Sequence, residues 1–145
     1  MTTVSAAHRP VSVYVLAAIR LFNGAAGLLA PDLLIRRFDP DREPPSPAAV
    51  YAFRLFGIRT VLLGMDLLTH SGERLRQDLS DGILIHGSDT FTAASLGIHG
   101  QVPPRTAVLT TFISAVNTAL AVTSTAALTP CPKGKPGNCP KGKRT

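Results

Sequence analysis

The chain has 145 residues and a mass of 15.3 kDa, with 45% hydrophobic residues, 17% charged residues and a formal net charge of +6. A charged fraction below the roughly 25% of ordinary soluble domains argues against a polar-surfaced soluble protein. The charge excludes a nucleic-acid-binding body: all four lysines and Arg144 lie in the last 16 residues, so residues 1–129 hold ten arginines against nine acids and no basic cluster.

Residues 1–10 form a short N-terminal segment, and four long stretches follow within one domain spanning 11–128. The first, 11–30, has 15 apolar residues of 20 and a single charge, Arg20. That charge interrupts the clean apolar run of a cleaved signal peptide, so the segment reads as a retained helix. Pro31, the charged run 35–43 and Pro44, Pro45 and Pro47 read as a connecting loop. The second helix, 48–68, has 15 apolar residues of 21 and carries Arg54, Arg59 and Asp66. Residues 69–77 read as a polar separator around Ser71-Gly72. The third helix, 78–98, is weaker, with 9 apolar residues of 21 and with Asp78, Asp81, His86 and Asp89. Pro103-Pro104 marks a turn and a helix start. The fourth helix, 106–128, has 14 apolar residues of 23 and no charge. Residues 129–145 form a Cys/Pro/Lys/Gly tail whose composition predicts disorder.

Each stretch approaches the ~20 residues that a helix needs to cross the hydrocarbon of a bilayer. Where a soluble bundle would place Glu and Lys, these helices place Ala, Gly, Ser and Thr, the residues of close helix packing in lipid. The expected fold is therefore all-α, a transmembrane four-helix bundle with a disordered basic tail; the rival is a soluble helical bundle. Counting Arg and Lys in the flanks gives one, two and five for the N-terminus, second loop and tail, against three and one for the other loops. Both termini are expected in the cytoplasm, and it is the tail that tips this balance. Five cations just past a membrane helix are also attracted to anionic lipid, by about 1 kcal/mol each.

Residues 18–34 align without gaps on residues 52–68, with 9 of 17 positions identical, including Arg20/Arg54, Phe22/Phe56 and Asp32/Asp66. Antiparallel neighbours carrying such an echo would be an inverted repeat, a device of transporters; compositional coincidence is the alternative. An Arg or Asp at a helix centre costs about 2.5–3.5 kcal/mol, so these groups are expected to face inward and pair. Arg20, Arg54 and Arg59 would meet Asp81 and Asp89, with Asp66 near a helix end. His86 and Asp89, three apart, share a face of the third helix. Asp81, His86 and Asp89 are the candidates for proton exchange or for holding a polar ligand. Equally, the charge pairs would simply hold the helices together. Arg20, Gly24 and Gly27 mark a packing seam. His70 and His99 fall in loops and are expected to be solvated.

No phosphate loop, nucleophile elbow or paired-His zinc helix occurs, no cofactor or metal is implied, and neither Cys131 nor Cys139 lies in the body. Two cysteines eight apart are too few for structural zinc; palmitoylation, pairing under oxidation and no role all remain open.

The phrases AAIRLFNGAAGLLAP, RLFGIRTVLLG and DGILIHGSDTFTAA resemble a family of small four-pass integral-membrane proteins of unknown function, with members in actinobacteria and filamentous fungi. The resemblance covers residues 11–128 and implies that Arg20, Arg54, Arg59, Asp81 and Asp89 occupy the family's charged positions; the tail lies outside it. Two functions follow as expectations. One is a non-enzymatic accessory or interaction subunit of the membrane, with a membrane-protein partner. The other is a small intramembrane isomerase, cyclase or carrier for a hydrophobic substrate, using Asp81, His86 and Asp89.

Overall fold

The computed structural model describes residues 9–40 and 44–128. Among them the chain is all-helical: α1 (Val11–Leu29), α2 (Pro31–Phe38), α3 (Pro47–Thr69), α4 (Gly72–Ile98) and α5 (Pro104–Leu128). The expectation for the tail at 129–145 lies outside the described residues.

The segment after α1 has the composition of a loop, but part of it is helical. Pro31 ends α1 because it has no N–H to continue the ladder, yet at the first position of α2 it costs nothing. Asp32 in the first turn and Arg36 and Arg37 in the last complement the dipole of this eight-residue helix. Its Pro31 and Ile35 are buried, while Asp32, Arg36 and Arg37 face out.

The third long helix starts earlier than residue 78, where its apolar pattern begins. Helix α3 ends at Thr69 and α4 begins at Gly72, so the reversal occupies only His70 and Ser71. Gly72, at φ 61, takes the left-handed conformation this reversal needs. Residues 73–77 resemble a separator because they are polar, but Glu, Arg, Leu and Gln all favour helix. The far end of α4 closes with Gly100 at φ 64, donating to Gly97 O, and Gln101 N donating to Leu96 O, the Schellman pattern. Ser46 caps α3, its hydroxyl accepting from Ala49 N at 3.2 Å.

The four long helices run up, down, up and down, with α1 packed on α3, α4 on α5, and sparser contacts from α1 to α5 and from α3 to α4. Glycines set the α1–α3 spacing: a Cβ at Gly57 would stand 2.5 Å from Leu28 N and 2.7 Å from Gly24 O. Gly24 and Gly27 are buried in the same seam, as their spacing in the sequence suggests. The apolar core joins Val13, Leu16, Ala17, Leu67, Leu75, Leu79 and Ala121, in the half of the bundle where α1 begins and α5 ends.

Three helices, α1, α3 and α5, are long and apolar enough to cross a membrane. Their outer faces carry large apolar side chains, among them Val15, Phe22, Leu55, Leu62, Phe112 and Val122. Helix α4 is divided. Its outward residues are Glu73, Arg74, Gln77, Ser80 and Asp81 toward the start, and Leu84, Ser88, Phe91, Thr92 and Ile98 beyond, where no exposed residue is charged.

Candidate functional site

Each long helix turns one stripe of residues inward, and each stripe carries a polar side chain near its midpoint. Arg20 of α1, Thr60 of α3, His86 of α4 and Asn117 of α5 are all buried, each within two residues of the middle of its helix. None of their neighbours along the stripes is charged, so these four residues set the polarity of the bundle's centre.

Arg20 is 0% exposed. Helices α1 and α4 face each other across the diagonal, with no Cα pair within 8 Å. The Arg20 guanidinium fills that gap and lies against Gly82, where any Cβ would collide with it. Nη1 donates to Leu63 O at a long 3.5 Å. Asp78, one turn before Gly82, is the carboxylate whose charge reaches Arg20. Among the described residues, Arg20 Nε and Nη2, Thr60 Oγ1, His86 Nε2 and Asn117 Oδ1 have no hydrogen-bond partner. The expected Arg–Asp bond is thus replaced at Arg20 by a weak bond to a backbone carbonyl.

The bonded charge pair lies at the flank instead. Arg59 Nη2 donates to Asp89 Oδ2 at 3.1 Å, joining α3 to α4, with side chains 48% and 34% exposed. His86 Nδ1 lies 3.8 Å from the same oxygen, within electrostatic reach but beyond a hydrogen bond. The structure therefore brings Arg59, His86 and Asp89 together. It sets Asp81 apart: one residue before Gly82, Asp81 is rotated about 100° off the buried stripe and is exposed. Arg54 is exposed and Asp66 half-buried on α3, so the interior pairing expected for Arg54 and Asp81 is not found.

Two arginines that the sequence pattern does not single out organise the end where α1 begins. Arg9 donates to Leu68 O at 2.8 Å and His70 O at 2.6 Å, and Arg76 donates to Leu128 O at 2.5 Å. Both cations thereby cap helix C-termini, of α3 and α5, where they oppose the negative end of the dipole. Asp78 Oδ2 lies 2.7 Å from His70 Nδ1, so His70 is half-buried and paired rather than solvated; His99 is exposed. No local signal marks Arg9 and Arg76, because the helix ends they meet lie 52 to 61 residues away in sequence.

At the opposite end, a cavity of about 310 Å³ opens between α1, α3 and α5 beneath α2. Four of its eleven lining residues are phenylalanines, Phe22, Phe38, Phe53 and Phe56, and Asn23, Thr110 and Ser114 are the polar contribution. Phe38 and Phe53 meet at a ring-centroid distance of 5.9 Å and a tilt of 51°, which fastens α2 to α3. The Thr110 hydroxyl is spent on Thr106 O at 2.7 Å. No ionisable side chain lines the cavity. Sequence pattern does not reveal it, because its walls come from four helices and the charges of α2 disguise that helix as loop.

Among the described residues no group of His, Cys, Asp and Glu is placed to hold a metal. Comparison with protein-family models, characterised proteins and solved structures returns no match.

Proposed function

We propose that the chain is a four-pass integral-membrane protein of non-enzymatic kind, an accessory or interaction subunit whose helices are tied laterally by Arg59–Asp89. The observation that carries this reading is a separation: the ionisable side chains and the cavity occupy different parts of the bundle. His86 Nε2 is buried in packed interior, Asp81 faces outward, and the cavity wall carries no ionisable side chain, its hydroxyls being Ser114 and Thr110, the latter bonded to Thr106 O. General acid–base work needs the proton-transferring group within hydrogen-bond reach of a substrate, and among the described residues no ionisable group reaches the cavity.

The division of α4 supports a fourth crossing. Its 27 residues measure about 40 Å at 1.5 Å per residue, longer than the ~30 Å hydrocarbon. A crossing of about 20 residues uses 79–98 and leaves 72–78 at the membrane surface; its outer face carries Leu84, Phe91 and Ile98 beside Ser80, Asp81, Ser88 and Thr92, with the pair Arg59–Asp89 at its flank. Asp81 then lies within one turn of the membrane surface, where a charge costs less than at the helix centre. Both termini lie on the cytoplasmic side in this reading, with the basic tail against anionic lipid.

The protein should stay with membranes through an alkaline carbonate wash; release into the supernatant overturns the membrane assignment. In a variant with Cys131 and Cys139 replaced by Ser, Arg74→Cys and Gln101→Cys place single thiols at opposite ends. An impermeant maleimide should label position 101 on intact cells and position 74 only after permeabilisation. Labelling of both without permeabilisation overturns the up-and-down crossing of α4.

A further inference from the structure

We propose that the cavity beneath α2 holds one acyl chain of an anionic phospholipid drawn from the surrounding leaflet, its headgroup phosphate met by Arg37. This rests on the membrane reading and adds to it a specific ligand class. The wall is almost entirely carbon: four Phe rings, Leu34, Ile113, Ala26 and Ala52. At about 310 Å³ the space stands at the bottom of the ~300–1,000 Å³ range of ligand pockets, room for a single chain segment. In a bundle surrounded by lipid, the most abundant apolar solute at its mouth is an acyl chain.

Helix α2 supplies the charge complementarity. Leu34 and Phe38 point into the cavity, while Arg36 and Arg37 are exposed on the same eight-residue helix. Arg37 is three residues from Leu34, about 60° around the axis, so it borders the cavity-facing edge. A short helix with an apolar inner face and cations outside is the composition of an interfacial element. A guanidinium at that level matches the geometry of a phosphate, which it can bind through two parallel hydrogen bonds. Chain and headgroup are thereby read by two adjacent faces of one helix.

The absence of Trp makes the test direct. Phe53→Trp places a fluorophore in the cavity wall, and Phe56→Trp is a second reporter should the first disturb the Phe38 contact. Phe112→Trp, at a position 66% exposed on α5, reports the bulk acyl region. Each variant is reconstituted in phosphatidylcholine vesicles containing about one tenth brominated phosphatidylglycerol. The expected result is at least twofold stronger quenching of the cavity reporters than of Phe112→Trp. That excess should vanish with brominated phosphatidylcholine, in the Arg37→Gln background, and in Ala26→Phe, which fills the cavity. Equal quenching at all sites, or an excess that ignores Arg37→Gln, overturns the lipid site while leaving the membrane reading intact. No quenching even of Phe112→Trp overturns the membrane reading itself.

Discussion

Residues 18–34 and 52–68 share 9 of 17 positions, yet the bundle uses them differently. The first segment breaks at Ala30–Pro31 and continues into α2, whereas the second is one unbroken stretch of α3. Arg20 is fully buried and its counterpart Arg54 is exposed. The cause is a rotation. Helix α1 buries residues 20, 24 and 27, whose counterparts on α3 are 54, 58 and 61. Helix α3 instead buries 57, 60, 64 and 67, a pattern shifted by one residue and hence by about 100° around the axis. The glycines follow their own faces: Gly24 aligns with exposed Ile58, and Gly57 with Asn23 at the cavity. Sequence similarity between antiparallel neighbours therefore fixes neither which face is buried nor which arginine reaches the centre.

That contrast is sharpest at the seam where the two segments touch. Gly57→Val should have the largest effect, because even its Cβ would meet Leu28 N, Gly24 O and Gly27 C within 2.9 Å. Backbone cannot move aside as a side chain can, so overpacking here should cost about 3 kcal/mol or more. The aligned change Asn23→Val, at the cavity wall, should shift stability by under about 1 kcal/mol on the same scale. Thermal inactivation of the detergent-solubilised protein, followed by size exclusion, reads both; equal losses would mean that the helices do not meet at Gly57.

Next in size is Arg59, which the second segment carries where the first has Ala25. Asp89→Asn leaves the Arg59 guanidinium without its carboxylate near the middle of α3, at a cost of about 2–3 kcal/mol if that depth is hydrocarbon. Replacing both residues by Leu should restore most of it. A loss near 0.5 kcal/mol, roughly the size of an exposed ion pair, would place the pair in water instead. A double-mutant cycle on midpoint temperatures separates these outcomes.

How much of this is legible in the sequence depends on the kind of signal. The four long helices are readable because apolar runs bounded by proline and glycine survive any choice of packing partner. The α1 seam is readable because Arg20, Gly24 and Gly27 repeat at helical spacing within one element. Helix α2 is hidden by its charges, since Arg36 and Arg37 signal a loop as readily as the outer face of an amphipathic turn. The start of α4 is hidden in the same way by Glu73, Arg74 and Arg76. The partners of Arg20 cannot be read at all: Gly82 accepts it because it lacks a side chain, and nothing in a glycine advertises what will rest on it. Asn117 and Thr60 look like ordinary amide and hydroxyl packing residues until their helices meet at one level.

The smallest effects test whether Arg20 and Arg54 differ as their burial implies. Burying a guanidinium costs several kcal/mol, and one bond of 3.5 Å to a carbonyl returns little of that. Arg20→Met keeps much of the length of the side chain and removes the charge, so it should be neutral or raise stability by about 1–2 kcal/mol. A loss of that size would instead mean that the field of Asp78 more than offsets the burial, and Asp78→Asn should then cost as much. Arg54→Met should change stability by less than about 0.5 kcal/mol, because Arg54 is exposed near the start of α3, where its long side chain can snorkel to the membrane surface and stay hydrated. If the two substitutions gave the same shift, the rotation between the segments would carry no energetic consequence, and the centre of the bundle would be no drier than its rim.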